Sequence, residues 1–177
     1  MMMEPATLTL DALGEVRIER LGGSEGMNRL PRFDVSVLAD DPDLDLGALL
    51  GAPALLALVD DEGSVRQIAL VVAEAAYAGI WERRQHYLLA LTSPLARLGY
   101  RRGYRTFLDA SAKDIVAQIL ADAALGGDGS AWRLTEQLYE RRQCIQYDES
   151  EGDLVARVLA DEGIAFWHEC DGKRSVL

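Results

Sequence analysis

The chain has 177 residues, 49% apolar and 27% charged, a balance typical of a folded protein of one domain or two small ones. Its formal net charge of −11 opposes association with the phosphate backbones of nucleic acids. The two cysteines, Cys144 and Cys170, are well separated and form no C-x-x-C motif, so neither a disulfide framework nor a zinc site is encoded.

The N-terminal residues have neither the basic flank nor the apolar core of a secretory signal peptide. The longest uncharged apolar stretch, residues 47–59, is interrupted by Gly51 and Pro53 and is too short to span a bilayer. We therefore expect a chain that is cytoplasmic at synthesis, with no signal peptide and no membrane binding by this region.

The first half of the sequence predicts strands and turns. Residues 32–39 alternate apolar and polar side chains, the pattern of a strand with one buried face. Asp45 is predicted to cap a short helical turn over 46–50, and residues 60–64 to form a hairpin turn. The predicted strands are residues 7–10, 16–21, 32–39, 53–59, 65–77 and 85–91. About six strands in so short a stretch favour a small antiparallel β-barrel or a sandwich.

The second half predicts helices between short strands. The predicted elements are a short helix from Ser93-Pro94 to Gly99, a polar connector over 97–107, a helix 112–125 capped by Ser111 and ended by Gly126-Gly127, strands around 132–134 and 144–147, a helix from Ser150 to Glu162, and a strand 164–167. We predict the α+β class: a β-barrel domain over residues 1–93, then an α+β subdomain over 94–177 with two main helices, incomplete at its C-terminal end.

Catalytic patterns in the sequence are weak. The segment Gly22-Gly23-Ser24-Glu25-Gly26 matches the G-x-S-x-G motif, but no helical run follows it, so a glycine turn between strands is favoured. His168 and Cys170 share one face of a predicted strand, which alone makes neither a nucleophilic pair nor a metal site. A small hydrolase using Ser24, or Cys170 with His168, is the alternative from another class.

Charged residues cluster twice in the second half. Asp148, Glu149, Glu151 and Asp153 crowd one helix start, where the helix dipole favours negative charge. Four arginines are interleaved with aromatic residues: Arg97, Arg101, Arg102 and Arg105 with Tyr100, Tyr104 and Phe107. Single-stranded nucleic acid binding is one interpretation of that pattern. The favoured one is pairing with the acidic excess, for instance the eight acids among residues 34–62. We assign no catalytic, cofactor-binding or metal-binding residue, and expect no enzyme activity and no cofactor.

Seven segments carry a resemblance to a known family. They are Phe33-x-Val35-x-Val37-Leu38, Leu49-Leu50-Gly51, Pro94-Leu95-Ala96-Arg97-Leu98, Arg105-Thr106-Phe107-Leu108-Asp109, Asp114-Ile115-Val116, Cys144-Ile145-Gln146-Tyr147-Asp148-Glu149-Ser150 and Arg157-Val158-Leu159-Ala160-Asp161-Glu162-Gly163-Ile164. In this order they resemble the N-terminal region of VgrG-type spike proteins, the tip proteins of type VI secretion, which are related to contractile phage tail hubs.

The resemblance implies a mechanical role. It implies a tube/hub-type barrel in a trimer, adapting a hexameric inner tube to a three-fold needle, with baseplate components and possible effectors or adaptors as further partners. It also implies delivery outside the cell by the injection machine, without catalysis. A hub from a prophage or another contractile machine is the alternative within the same class.

Overall fold

The computed structural model describes residues 6–11, 13–40, 44–126, 130–171 and 174–176. The strands are β1 (Ala6–Leu10), β2 (Gly14–Ser24), β3 (Arg32–Ala39), β4 (Pro53–Val59), β5 (Val65–Trp81), β6 (Arg84–Thr92), β7 (Arg102–Ala110), β8 (Arg141–Ser150), β9 (Glu169–Asp171) and β10 (Arg174–Val176). The helices are α1 (Leu46–Leu49), α2 (Ala112–Asp122) and α3 (Glu151–Asp161), with a 3₁₀ helix over Pro94–Tyr100. The N-terminal segment 1–5 and Gly127, on which sequence predictions fell, lie outside the described residues.

The first six strands close into an antiparallel barrel in the order β1-β2-β3-β6-β5-β4. Alternate side chains of each strand point inward, so Phe33, Val35 and Val37 of β3 are all buried. Leu8 and Leu56, from two other strands, are fully buried in the same interior. The predicted small antiparallel barrel is therefore confirmed.

The longest strand, β5, changes partner along its length. It pairs with β4 from Val65 to Val71 and then with β6 from Val71 to Trp81. The sequence predicted a strand ending at Tyr77 and a polar link to β6. Instead, a two-residue turn at Glu82 and Arg83 joins the strands, both residues taking positive φ angles of 49° and 67°. A two-residue turn with positive φ at both central residues has a twist that matches the right-handed twist of the flanking strands. The β5-β6 hairpin therefore continues beyond the predicted strand end at Tyr77.

A second hydrophobic core lies between α2, α3 and the two-stranded ribbon β7-β8. Ile115 and Ile119 of α2, Leu154 and Val158 of α3, and Phe107 of β7 are buried in it. Ser111 caps α2 through a capping box with Asp114, and Ser150 caps α3, as the sequence predicted. The two main helices are confirmed.

The polar connector predicted over residues 97–107 is wrong, because most of it is the strand β7. Its partner β8 places Phe107 opposite Cys144 and Arg105 opposite Gln146 on the inward face. An arginine at an inward position hides the alternation of apolar and polar residues from which a strand is predicted. Formation of the ribbon therefore depends on tertiary contacts and not on a local sequence pattern.

Three further predictions about local structure are also wrong. Helix α2 ends at Asp122, with Ala124 in the left-handed region, rather than at the glycine pair. Residues 132–134 and 164–167 form no strand, and the strands near the end of the chain are β9 and β10. Trp132 and Phe166 pack against the second core instead, which accounts for their apolar character.

The chain divides into two compact units. Within the described residues, the first holds β1 to β6 with β9, and the second holds the 3₁₀ helix, β7, α2, β8 and α3. The predicted domain division at Ser93 stays a prediction. No helix of the described segments has the length and apolar character needed to cross a bilayer.

Candidate functional site

The four interleaved arginines of residues 97–107 each have an acceptor within the α+β unit. Arg97 donates to the carbonyl of Ala123 at 2.7 Å, at the C-terminal end of α2. Arg102 pairs with Asp148 at 2.9 Å, and this contact raises the pKa of the guanidinium and lowers the pKa of the carboxyl. The side chains of Arg102 and Asp148 are both more than half exposed, so this pair contributes little to stability.

Glu151 is the acceptor that organises the cluster. Its carboxylate is only 5% exposed and receives Nε of Arg101 at 2.5 Å and an Nη of Arg105. It stands in the first turn of α3, where its backbone N–H donates to the carbonyl of Arg101 at 2.8 Å. A buried carboxylate is tolerated when charged donors satisfy both of its oxygens. Glu151 thus joins the N-terminus of α3 to β7 and the turn before it.

Arg105 donates a hydrogen bond from each of its three nitrogens to a partner inside the unit. In addition to Glu151, it donates to Asp122 at 2.7 Å and to Gln146 at 3.3 Å. Gln146 is 1% exposed, and its side-chain amide donates a hydrogen bond to the carbonyl of Glu149 at 3.0 Å. Arg105 and its partners are therefore a structural network inside the unit.

The acidic residues at the start of α3 also form ion pairs within the unit. Glu149 binds Arg157 of α3 through both carboxylate oxygens, at 3.2 and 2.5 Å. The prediction that the arginines pair with acids among residues 34–62 is wrong, since Asp122, Asp148 and Glu151 are the acidic partners of the interleaved four. The sequence correctly predicted that acids neutralise the arginines, but it predicted the wrong acids. The actual pairing depends on the β7-β8 register.

An open cleft of about 390 Å³ lies over this network. Its lining residues are Tyr100, Arg101, Arg102, Gly103, Tyr104, Arg105, Gln146 and Glu151. Gly103 lies between Arg101 and Arg105 along the strand, and a Cβ added there would meet no heavy atom within 4 Å. Gly103 therefore leaves open space in the lining of the cleft.

The outward face of the ribbon, which carries Tyr104, is exposed and largely apolar. Tyr104 and Tyr147 stack edge to face across the two strands with ring centroids 5.3 Å apart, and they are 66% and 77% exposed. Leu108 and Ile145, on the same face, are also exposed. Apolar exposure of this extent on one ribbon is characteristic of a surface that another protein covers.

The barrel unit has its own exposed apolar residues at the end of the β5-β6 hairpin. Ile80 is 68% exposed and Trp81 is 59% exposed. Glu74 to Trp81 pair with β6 on one side, and no other described strand pairs with them. This part of β5 is consequently an open sheet edge with apolar side chains.

The candidate catalytic residues do not meet in an active-site arrangement. Ser24 is the last residue of β2 and lies opposite Arg32 of β3, so a strand follows it rather than the helix of a nucleophile elbow. His168 precedes β9 instead of sharing a strand with Cys170, which lies within β9. Cys144 is buried and Cys170 half-buried, as expected for small apolar residues.

One serine–histidine pair joins two strands of the barrel. Ser36 of β3 and His86 of β6 are hydrogen-bonded at 2.6 Å. Only the β3-β6 pairing brings them together, and no local pattern indicates it. Among the described residues no carboxylate is hydrogen-bonded to His86, so the orienting group of a triad does not accompany the pair. In the same residues, no group of three or more His, Cys, Asp or Glu is placed to hold a metal ion.

Comparisons with known proteins agree with this architecture. The phage tail baseplate hub (GPD) family matches residues 24–177. The type VI secretion system spike protein VgrG4b of Pseudomonas aeruginosa is 34% identical over 161 residues, which are 90% of this chain and 20% of that protein. The chain therefore spans about a fifth of the length of this relative.

Solved structures share the fold. The E. coli c3393 protein, a type VI secretion component with structural similarity to the T4 tail proteins gp27 and gp5, superposes with a TM-score of 0.85 at 21% identity, over 96% of this chain and 47% of that one. A tail protein of Neisseria meningitidis gives a TM-score of 0.68 at 11% identity, over 97% of this chain and 49% of that one.

The barrel and the helix-backed ribbon are the fold that this chain shares with these solved structures. The chain belongs to the phage tail baseplate hub family. Its resemblance to VgrG spike proteins is confirmed.

Proposed function

We propose that this chain is the hub region of a trimeric type VI secretion spike, where its barrel adapts a hexameric inner tube to a three-fold needle. Its task is mechanical, and no residue carries out catalysis. Family membership and the identity to VgrG4b over most of the chain support this function over a hydrolase. Delivery of the chain by the secretion machinery, with baseplate components among its partners, is part of the same proposal.

The open edge of β5 is the observation that carries the proposal. A strand with unpaired N–H and C=O groups pairs readily with a strand of another chain unless its edge is protected. Here the edge carries exposed Tyr77, Ile80 and Trp81. The second half of β2, from Arg17 to Ser24, likewise pairs only with β3 among the described strands. Two open edges on one barrel suit head-to-tail contacts, which close into a ring of copies.

The test introduces a lysine on the open edge. Ile80→Lys places a charge beside the unpaired backbone groups, and Leu88→Lys places the same charge on β6, which is paired on both sides. Leu88 is 47% exposed, so neither change introduces a lysine into the core. Sedimentation velocity then measures assembly of the chain in two forms, by itself and mixed with a ring-forming tube protein of the same secretion machine.

The proposal predicts that the unaltered chain and Leu88→Lys assemble and that Ile80→Lys does not. Equal assembly of the two variants would remove the β5 edge from the interface. Failure of the unaltered chain to assemble in either form would contradict the hub function itself.

A further inference from the structure

The outward face of the β7-β8 ribbon carries side chains in three cross-strand rows. They are Tyr104 opposite Tyr147, Thr106 opposite Ile145, and Leu108 opposite Gln143. All of them are exposed and none is charged. At one end of the face, Arg102 and Asp148 neutralise each other. A charged group placed on this face would lose water and gain no partner, so the face selects an uncharged, apolar ligand.

Neither edge of the ribbon is suited to pairing with a further strand. Arg105 points inward from β7, and the register shifts between Gly103 and Tyr104. Inward charges and bulges protect a strand from edge-to-edge pairing. On β8, Arg157 of α3 donates to the carbonyl of Ile145 at 3.0 Å. The ligand therefore lies across the face of the ribbon and is not an added strand.

The face is too small to join two folded copies of this chain. It is two strands wide and extends along β7 from Tyr104 to Leu108. These dimensions correspond to roughly 10 Å by 15 Å. A stable interface between folded proteins needs about 800 Å² on each side. A short helix is also a poor fit, because a helix of about three turns is unstable by itself and would have to fold as it binds. The face suits a short segment that has its bound shape beforehand and needs no strand pairing.

The polyproline II conformation has both properties. Proline fixes φ before binding, and the backbone makes no internal hydrogen bonds, so its carbonyls are free to accept. Proline-rich segments bind surfaces lined by aromatic side chains. Here the rings of Tyr104 and Tyr147 stand at 87° to each other with centroids 5.3 Å apart, which forms a corner for a pyrrolidine ring. Six residues of polyproline II are about 19 Å long and cover all three rows.

We propose that the outward face of the β7-β8 ribbon binds an uncharged, proline-rich segment of a partner protein in the polyproline II conformation. Proline rings pack against Tyr104 and Tyr147 and, two rows further along, against Leu108. The Tyr147 hydroxyl donates to a carbonyl of the segment. The face belongs to the α+β unit, whereas ring formation is tested at the β5 edge of the barrel unit. Either proposal can therefore fail without the other.

The experiment removes apolar side chains from the face. Tyr147→Ser removes a ring that is 77% exposed, and Leu108→Ser removes a side chain at the other end that is 65% exposed. Tyr139→Ser is the matched control, because Tyr139 is 84% exposed and precedes β8 instead of lying in the ribbon. Circular dichroism checks that all three variants are folded.

Fluorescence anisotropy measures the binding of labelled, end-capped decaproline and of a decapeptide of alternating Gly and Ser. Decaproline is expected to bind at least about tenfold more tightly than the flexible peptide. Tyr147→Ser and Leu108→Ser are each expected to weaken its binding by about tenfold, and Tyr139→Ser to leave it unchanged.

Equal affinity for the two peptides, insensitivity to Tyr147→Ser, or absence of binding would overturn the proposal. Tighter, Tyr147-sensitive binding of an amphipathic helical peptide would overturn it in favour of a helix as the occupant. Self-association of the chain that Tyr147→Ser abolishes would overturn it in favour of a second copy.

Discussion

Glu151 links several parts of the α+β unit, because two arginines, one from β7 and one from the turn before it, meet on its buried carboxylate. Glu151→Gln keeps the size of the side chain and removes its charge, so Arg101 and Arg105 lose the charged acceptor that they share. Hydrogen bonds to charged groups contribute about 2 kcal/mol, so the free energy of unfolding should fall by about that amount. Urea denaturation measures it.

Asp148→Asn is the matched control for this change. Its partner Arg102 is 61% exposed, and an exposed pair of this kind contributes little to the free energy of unfolding. Equal losses for Glu151→Gln and Asp148→Asn would show that burial of the carboxylate does not stabilise the unit.

The two main helices end with the same turn but with different residues. Gly163 follows α3 with a φ of 67°, and Ala124 follows α2 with a φ of 55°. In both turns an N–H closes back five residues, from Ile164 to Leu159 and from Leu125 to Leu120. The left-handed conformation costs a residue with a Cβ roughly 1 kcal/mol or more relative to glycine.

Opposite substitutions at these two positions should therefore have opposite effects. Ala124→Gly should raise the free energy of unfolding by about 1 kcal/mol, and Gly163→Ala should lower it by about the same amount. Thermal denaturation of both variants measures this. A loss of stability in both variants would mean that the left-handed turn is not the energetic difference between the two helix ends.

At the scale of the element, the capping box of α2 couples its stability to pH. The hydroxyl and the backbone N–H of Ser111 both donate to the Asp114 carboxylate, at 2.5 and 3.0 Å, and lower the pKa of Asp114 below its ordinary value of 3.8. Because the folded-state pKa is the lower one, this stabilisation is present above about pH 4 and is lost as the pH falls through the folded-state value.

Asp114→Asn should remove this part of the acid sensitivity, and Ser111→Ala should cost about 1 kcal/mol near neutral pH. Urea denaturation between about pH 6 and about pH 3 compares the variants with the unaltered chain. Asp148→Asn belongs in the same series, since the pKa of Asp148 is also lowered. If Asp114→Asn loses stability with acid as steeply as the unaltered chain, the cap is not a source of the pH dependence.

Elements with a local signal could be predicted from the sequence, and those that depend on distant partners could not. β3 and the capped starts of α2 and α3 carry their pattern within a few residues. β7 does not, because its inward Arg105 is acceptable only where Glu151, 46 residues further on, supplies a buried carboxylate. The cleft over Gly103 was missed for the same reason, since the β7-β8 register assembles it.

At the scale of the whole molecule, the density of predicted strands in the first half of the sequence indicated a barrel. It did not indicate the order of the strands in that barrel. β5 pairs with β4 and β6 over successive halves of its length, and this exchange leaves one edge open from Glu74 to Trp81. No local pattern distinguishes a paired edge from an open one. The resemblance to VgrG spike proteins supplied the expectation of a ring, and the open edge supplies a physical reason for it.

The measurement that tests the central claim most directly is the native mass of the chain in solution. The hub function predicts a particle of three chains, which Leu88→Lys retains and Ile80→Lys dissociates while each barrel stays folded by circular dichroism. A folded single chain, or a particle with a number of copies that is not a multiple of three, would contradict the account.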